Sequence, residues 1–387
     1  MERFEDIRIG GLEVMTEVES TSAGADRGDF GVGETGPITL SRMGSFFFGG
    51  KVVTNELGDT YHGDHGYTQY FIPQESRNLP LIMWHGLGQS GKTWESTPDG
   101  REGFWQIYTR RGWPVYIVDQ PRRGRAGRGV FDEDETPADH IPSIETESSA
   151  WNTFRVGEWF PPQARTFFPG VAFAKDADGI EQLMRQQTPN TGLEPFPNAD
   201  HRAFLGTTIA QLIRKVGPSI LFTHSHSGQY GWAAAMRAPN EVKAIVALEP
   251  GTFAFPDDDL PADVPTESDL LRSFMAPQPV PADEFLKLAK IPILIMMGDN
   301  IASKPNEDFG IELWRIVRER AQQFVAALVK RGGDATFLEL PVIGIRGNTH
   351  FPMSDTNNLE VAAQIDKFFA SRGLDGADHP YSGPRGG

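Results

Sequence analysis

Two serines alternate with two histidines in the segment ILFTHSHSGQYGWAAA, and either hydroxyl could be a nucleophile. A serine attacks when a base takes its proton and a sharp strand-to-helix turn exposes its side chain. That turn crowds the residues two before and two after the nucleophile, so both must be small, as Thr223 and Ser227 are around Ser225. The same requirement disfavours Ser227, because the large Gln229 would follow it. The spacing therefore favours Ser225, although a strand ending in a Ser/Thr helix cap would show similar residues.

Composition limits the other kinds of chemistry. The 387-residue chain has no cysteine, which excludes a disulfide framework, a thiol nucleophile and a cysteine-ligated metal. A formal net charge of −16 argues against nucleic acid or an anionic membrane as a partner, because phosphate contacts need clustered Lys and Arg. Apolar runs such as IPILIMMG are far shorter than the roughly 20 residues of a membrane span, and no signal peptide is visible at the start. We expect a soluble protein, either cytoplasmic or secreted or periplasmic after loss of a signal peptide.

The elements that must position these residues alternate along the chain. Short apolar runs predict strands, and segments of helical spacing follow many of them. The predicted strands are GSFFFGGKVVT, YTQYFIPQ, LPLIMWHG, WPVYIVDQ, PSILFTHS, VKAIVALEPG, IPILIMMGD and ATFLELP. The predicted helices lie in TWESTPDGREGFWQIYTRRG, GQYGWAAAMRA, IELWRIVRERAQQFVAALVKRGG and NLEVAAQIDKFFASRG. Because most of these strands are apolar enough to be covered on both faces, we expect an α/β fold with a mostly parallel central sheet flanked by helices.

The alternation also predicts the domain organisation. Residues 1–39 read as a loosely ordered N-terminal extension, 40–372 as the folded domain and 373–387 as a C-terminal tail. Two irregular stretches, at about 125–205 and 252–288, interrupt the domain, and we expect them to form a cap over one edge of the sheet. The first stretch is rich in aromatic residues, which either line an apolar cleft or only pack the cap onto the sheet. They are Trp151, Phe154, Trp159, Phe160, Phe167 and Phe168.

Over about residues 40–372 the order of the motifs resembles the α/β-hydrolase superfamily. A strand precedes HGLGQSG, a later strand leads into DQPRRGRAG, THSHSG follows, and GNTHF comes late. The resemblance implies a serine hydrolase that needs no cofactor. It also implies that His85 and Gly86 begin an oxyanion loop, with the backbone N–H groups of Leu87 and His226 as the donors to the oxyanion.

The resemblance implies a base as well. The superfamily order is serine, acid, histidine, which selects His350 in the loop GIRGNTHF, because His379 falls in the predicted tail. Neutral imidazole near pH 7 can take the serine proton and return it to the leaving group. We expect His224 to point away from the cleft. His62 and His65, in YHGDHG, superficially resemble a metal site, but glycine-rich turns commonly carry such residues, so no metal is predicted.

Two carboxylates are candidates for the acid. Asp299, in IMMGDN, occupies the more usual position in the superfamily, yet GDN is also ordinary turn chemistry. Glu249, in VALEPG, ends the strand after the nucleophile's strand, and its longer side chain could reach Nδ1 of the histidine. A charge that closes a run as apolar as AIVAL needs a partner. The stretches HSHSGQY, VALEPG and GIRGNTH look like those of a group of atypical bacterial esterases whose acid is such a glutamate, which favours Glu249.

These residues together predict a carboxylic ester hydrolase that forms an acyl-enzyme on Ser225 and prefers bulky or aromatic apolar small-molecule esters. A lactonase, an amidase or a carbon–carbon hydrolase could use the same Ser-His-Glu triad, because fold and triad do not determine the substrate. A non-catalytic binding protein of the same fold would instead show a broken triad or a blocked pocket. A homodimer is possible.

Overall fold

The computed structural model describes residues 36–130, 146–376, 381, 383 and 384. The predicted N-terminal extension, residues 1–39, lies outside the described residues except for its last four positions. Residues 131–145 of the first predicted insertion lie outside them as well.

Strands and helices alternate through most of the described chain. The strands are β1 (Leu40–Thr54), β2 (Thr60–Pro73), β3 (Leu81–Trp84), β4 (Val115–Asp119), β5 (Ser219–His224), β6 (Val242–Leu248), β7 (Ala254–Pro256), β8 (Gln278–Val280), β9 (Ile293–Met297) and β10 (Ala335–Glu339). The α-helices are α1 (Phe104–Arg110), α2 (Glu147–Thr153), α3 (Ala177–Arg185), α4 (Ala199–Val216), α5 (Ser227–Arg237), α6 (Asp269–Phe274), α7 (Ala282–Leu288), α8 (Phe309–Lys330) and α9 (Asn358–Ser371).

Eight of these strands form one sheet in the order β1-β2-β4-β3-β5-β6-β9-β10. β1 and β2 are antiparallel to each other, β2 is antiparallel to β4, and the other neighbours are parallel. The register pairs His224 of β5 with Leu248 of β6, and Leu248 with Met296 of β9. The residues that follow these three strands therefore meet at one edge of the sheet, and the predicted mostly parallel α/β fold is confirmed.

The core lies on both faces of the sheet, as the continuous apolar runs predict. Along β3, Leu81 and Met83 pack on one face, whereas Ile82 and Trp84 pack on the other. The first face is covered mainly by α1 and α9, and the second by α4, α5 and α8. Because every side chain of β3 is fully buried, this strand and its neighbour β5 form a rigid base for the turns at their carboxyl ends.

The segment YHGDHG lies inside β2 rather than in a turn, so that part of the prediction is wrong. Antiparallel pairing with β1 continues through it, with His62 opposite Val52 and His65 opposite Gly49. The residues of this glycine-rich stretch favour turns on their own. Pairing with β1 nevertheless satisfies their backbone hydrogen bonds in a strand. Among the described residues no cluster of three or more histidine, aspartate or glutamate side chains could hold a metal ion.

α4 begins inside the first predicted insertion and belongs to the body of the fold. The Asn198 side chain caps its start by accepting a hydrogen bond from the His201 N–H (2.8 Å), and Gly217, with φ of +94°, follows its last residue. Leu205 and Ile209 of α4 lie in the core beneath the sheet. The predicted boundary at about residue 205 therefore cuts through a helix, and the first insertion ends earlier.

The predicted C-terminal tail is attached to the body at Tyr381. The Tyr381 hydroxyl lies 2.8 Å from the Tyr116 hydroxyl of β4 and donates to the Val216 carbonyl at the end of α4 (3.1 Å). The tail is thus not free along its whole length.

In the described part of the chain, no helix combines the length and the apolar character needed to cross a membrane.

Candidate active site

The turn between β5 and α5 presents Ser225 at the carboxyl edge of the sheet. Ser225 has φ of +55°, a left-handed conformation that residues other than glycine rarely adopt. Its N–H donates to the Leu248 carbonyl of β6 (3.0 Å), and its carbonyl accepts from the Gly251 N–H (2.9 Å). The backbone of Ser225 is therefore held in a strained strand-to-helix turn by contacts with the neighbouring strand.

Two glycines of α5 let the helix pack closely on this turn. A Cβ on Gly231 would lie 2.5 Å from Thr223 Cγ2, and a Cβ on Gly228 would lie 2.7 Å from Pro250 Cβ. Neither contact is possible without a shift of the backbone, so the small residues after the turn have a steric cause.

Ser227 and Ser225 have different environments. Ser227 is buried, and its hydroxyl accepts from the His224 N–H (3.0 Å) and lies within donating distance of the carbonyls of Trp84 (3.1 Å) and His224 (2.9 Å). These contacts engage the Ser227 hydroxyl inside the turn. Ser225 is only partly buried and lines a cavity.

Glu249 directly follows β6, beside Ser225. Its φ is +51°, and its side chain is completely buried. Its Oε1 accepts hydrogen bonds from Arg155 Nη2 (2.7 Å) and from the Gly298 N–H. Its Oε2 lies 3.3 Å from His350 Nδ1. Each carboxylate oxygen thus has a separate set of partners, and one oxygen faces the imidazole.

The other candidate acid, Asp299, binds backbone groups. Its Oδ2 accepts from the Gly347 N–H (2.9 Å), and its Oδ1 accepts from the Asn300 N–H (2.8 Å). These contacts are those of a turn-stabilising aspartate. Between the described residues, no hydrogen bond or ion pair joins the Asp299 carboxylate to His350.

His350 lies in the loop between β10 and α9 and is buried. Its N–H donates to the Phe154 carbonyl (2.8 Å), and its ring packs against Trp314 with ring centroids 4.2 Å apart. Asp355 holds the same loop by accepting from the N–H and the hydroxyl of Thr349 (both 2.8 Å). The imidazole is therefore oriented from several sides, which a proton-transfer group requires.

The loop after β3 approaches the same turn. A Cβ on Gly86 would lie 2.9 Å from Ser225 Cβ, so glycine permits this close contact. Among the described residues, the backbone N–H groups of Leu87 and His226 have no hydrogen-bond acceptor. Both residues line the cavity beside Ser225, where two free N–H donors can bind an anionic oxygen.

The cavity has a volume of about 400 Å³, and Ser225 and His350 both line it. Its walls are largely apolar and come from the two insertions and α8. The larger apolar lining residues include Phe154, Phe196, Phe274, Met275, Leu313 and Trp314. An apolar cleft with a few polar groups is the usual form of a small-molecule site.

Of the six aromatic residues singled out in the first insertion, Phe154 is the one that lines this cavity. Trp151 is buried and contacts Phe167 and Trp159 edge-on, with ring centroids 5.0 and 6.4 Å apart. Phe160 is half exposed. Most of these side chains therefore pack the insertion itself, and other aromatic residues supply the cavity wall.

Comparisons with known proteins identify the superfamily. A solved structure described as a novel bacterial esterase is 30% identical, with a TM-score of 0.67, and the match covers 88% of this chain and 98% of that one. The chain is a member of the α/β-hydrolase superfamily. A fungal protein named as a probable secreted lipase is 27% identical over 349 residues, 84% of this hydrolase and 89% of the relative. No protein-family model matches the chain.

The electrostatics of the hydrolase site favour an ionised Glu249 and a neutral His350. Burial alone would raise the pKa of Glu249, but the charge of Arg155 and the hydrogen bond with His350 are the main causes that outweigh it and hold the pKa at about 2. Burial lowers the pKa of His350, and Glu249 offsets this only in part. Near neutral pH the imidazole can therefore accept a proton.

The remaining histidines of the hydrolase site are engaged structurally. His224 is buried, is not among the cavity-lining residues, and places Nε2 2.7 Å from the His350 carbonyl oxygen. Burial lowers the pKa of His85 to about 4, and its Nε2 accepts from the Gln120 N–H (3.2 Å). The imidazole of His226 contacts the Tyr230 hydroxyl (2.9 Å) at the cavity wall.

Two charged residues at the site of this hydrolase were not predicted from the sequence. Arg155 reaches Glu249 from the first insertion, and Glu194 lines the cavity near His226 and pairs with Arg123. Both lie in irregular segments without a motif or a periodic pattern. The only local signal was an arginine and a glutamate amid aromatic and proline residues.

Proposed function

We propose that this hydrolase cleaves carboxylic esters through an acyl-enzyme on Ser225. Ser225 attacks the ester carbonyl, His350 takes its proton, and Glu249 orients the imidazole and stabilises the imidazolium that forms. His350 then gives the proton to the leaving alcohol, and a water molecule attacks the acyl-enzyme by the same route. The esterase and the lipase among its relatives support ester hydrolysis by this fold.

One observation carries the proposal. His350 Nδ1 faces Glu249 Oε2 at 3.3 Å while His350 and Ser225 line the same cavity. A carboxylate at Nδ1 selects the tautomer whose Nε2 is free to accept a proton. This arrangement supports the roles proposed for Ser225, His350 and Glu249.

The oxyanion that develops on the ester carbonyl would meet the N–H groups of Leu87 and His226. The start of α5 lies beside them, and the partial positive charge of a helix N-terminus also favours an anion there. Such donors are prearranged, so they need little reorganisation in the transition state.

The cavity favours esters with a bulky or aromatic apolar group. Its volume of about 400 Å³ is within the range of small-molecule sites, and its wall is mainly aromatic and aliphatic. A short acetate ester would leave much of this apolar surface unused.

The test is the variant Ser225→Ala with Ser227→Ala as its matched control. Ser225→Ala should lose turnover of a p-nitrophenyl ester by about 10⁴-fold or more and should not be labelled by a serine-directed phosphonate. Ser227→Ala removes a buried structural hydroxyl, so it should lower the melting temperature but retain labelling at Ser225. Phosphonate attached to Ser227, or unchanged turnover in Ser225→Ala, would show that the assignment is wrong.

A further inference from the structure

Arg155 is a buried cation beside the proposed catalytic acid. It follows α2 in the first insertion, its exposed fraction is 2%, and its φ is +57°. A buried guanidinium and a left-handed backbone both cost free energy. The surrounding contacts must therefore compensate for both costs.

Those contacts connect the insertion to two strand ends. Arg155 Nη2 donates to Glu249 Oε1 (2.7 Å) after β6, and Arg155 Nε donates to the Asp299 carbonyl (2.9 Å) after β9. Its guanidinium also lies 4.9 Å from the Trp314 ring centroid. Arg155 thus occupies Oε1 of the carboxylate and leaves Oε2 for the imidazole.

The residues next to Arg155 contact the base. The Phe154 carbonyl accepts the His350 N–H, and the Phe154 ring stacks on the imidazole at 5.8 Å. Trp314 packs against both the Arg155 guanidinium and the His350 ring, and its Nε1 donates to the Thr153 carbonyl (2.6 Å). Residues 154 and 155 of the insertion therefore contact the base and the acid, and residue 153 binds the tryptophan that packs on both Arg155 and His350.

We propose that Arg155 is a positioning residue that holds the Glu249 carboxylate for His350 and so makes the first insertion part of the catalytic machinery. The proposal rests on the proposed function of Ser225, His350 and Glu249. Arg155 acts through Glu249 and has no contact of its own with the reacting atoms.

The positive charge of Arg155 has a measurable consequence. Without it, adding a proton to the coupled Glu249–His350 pair becomes easier, whichever of the two groups holds the proton. The protonated pair cannot accept the Ser225 proton. Loss of Arg155 should therefore raise the pH below which the enzyme is inactive.

Other titratable groups face this pair and must be considered. His224 packs against His350 with ring centroids 4.6 Å apart, and burial lowers its pKa well below the usual value, so it stays neutral. The Asp299 carboxylate binds the backbone N–H groups of residues 300 and 347. Burial raises the pKa of Asp355 to about 7, so this group can titrate in the working range.

The experiment measures the rate of phosphonate labelling of Ser225 as a function of pH, which requires no knowledge of the natural substrate. Arg155→Gln should move the acid limb to higher pH by about one unit or more and slow labelling at the optimum by roughly 10- to 100-fold. Arg155→Lys keeps the charge, so its acid limb should stay near the wild-type position. Arg155→Met, which is neutral and apolar, replaces the glutamine variant if that protein does not fold.

Two controls isolate the effect. Arg331→Gln removes a different ion-paired arginine, one that contacts Asp258 and Asp259 of the second insertion, and should leave the acid limb in place. The shift should persist in an Asp355→Asn background. A folded neutral variant of Arg155 with the wild-type profile, or a shift that disappears with Asp355→Asn, would overturn the proposal. Failure of the wild-type protein to be labelled would instead contradict the function proposed for Ser225.

Discussion

The carboxyl edge of the sheet and the insertions that cover it hold their functional side chains in different ways. At the edge, Ser225 and Glu249 both have positive φ, and each donates its N–H to the neighbouring strand. In the insertions, Phe154 and Phe274 contribute ring surface to the cavity. Proton transfer depends on the positions of single atoms, whereas an apolar wall depends mainly on shape. Substitutions at the edge should therefore lower kcat, and those in the insertions should change substrate preference, with Arg155 as the exception.

The largest effect expected in this comparison is that of replacing Glu249, the proposed acid. Glu249→Gln should lower kcat by about 10⁴-fold, because an amide can favour the wrong tautomer of the histidine and cannot stabilise the imidazolium. Asp299→Asn should cost far less, because it removes only one of two hydrogen bonds to the backbone of this turn and no contact with the imidazole. Both variants are compared on one ester after their folding has been checked by circular dichroism. A large loss of kcat in Asp299→Asn with little change in Glu249→Gln would mean that Asp299, and not Glu249, is the acid.

A smaller effect is expected where the loop after β3 meets the nucleophile. In Gly86→Ala the new Cβ would lie 2.9 Å from Ser225 Cβ and 3.0 Å from His224 Nδ1, so the loop must move away and take the Leu87 N–H with it. Loss of one oxyanion donor lowers kcat by about 10²- to 10³-fold. Gly88→Ala, in the same loop, is the control for backbone strain, because the φ of Gly88 is +66° and no described atom lies within 4 Å of its added Cβ. Equal losses in the two variants would attribute the effect to backbone strain rather than to the collision.

The smallest effect is expected at Phe274, which the second insertion contributes to the cavity wall. Phe274→Ala should lower kcat/KM for an aryl ester by roughly tenfold, since a lost aromatic contact and its buried area are together worth one to two kcal/mol. Hydrolysis of a short acetate ester should change little. Phe160→Ala, half exposed and outside the cavity lining, is the control. A loss of the same size on both esters would mean that Phe274 supports the site itself rather than the substrate.

The same two regions differ in what the sequence could predict. The predictions of strands along the chain, of Ser225 and of Glu249 rest on local patterns: apolar runs, small residues at fixed spacing, and a charge at the end of a strand. The role proposed for Arg155 depends on a contact with Glu249, 94 positions along the chain, and on a left-handed backbone. Neither feature is visible as a local sequence pattern.

Two element boundaries were missed for different reasons. α4 had the usual signals in Asn198 and Gly217, but the aromatic and proline residues before it extended the predicted insertion too far. β2 starts at Thr60 because β1 offers a long antiparallel partner, which outweighs the turn preference of YHGDHG.

The contact between Tyr381 and Tyr116 has a consequence for how the chain folds during its synthesis. Tyr116 lies in a central part of the sheet, yet its hydroxyl finds its partner 265 residues later. A nascent chain on the ribosome therefore carries β4 without this hydrogen-bond partner until Tyr381 has been added. Completion of that part of the core has to wait until Tyr381 has left the ribosome.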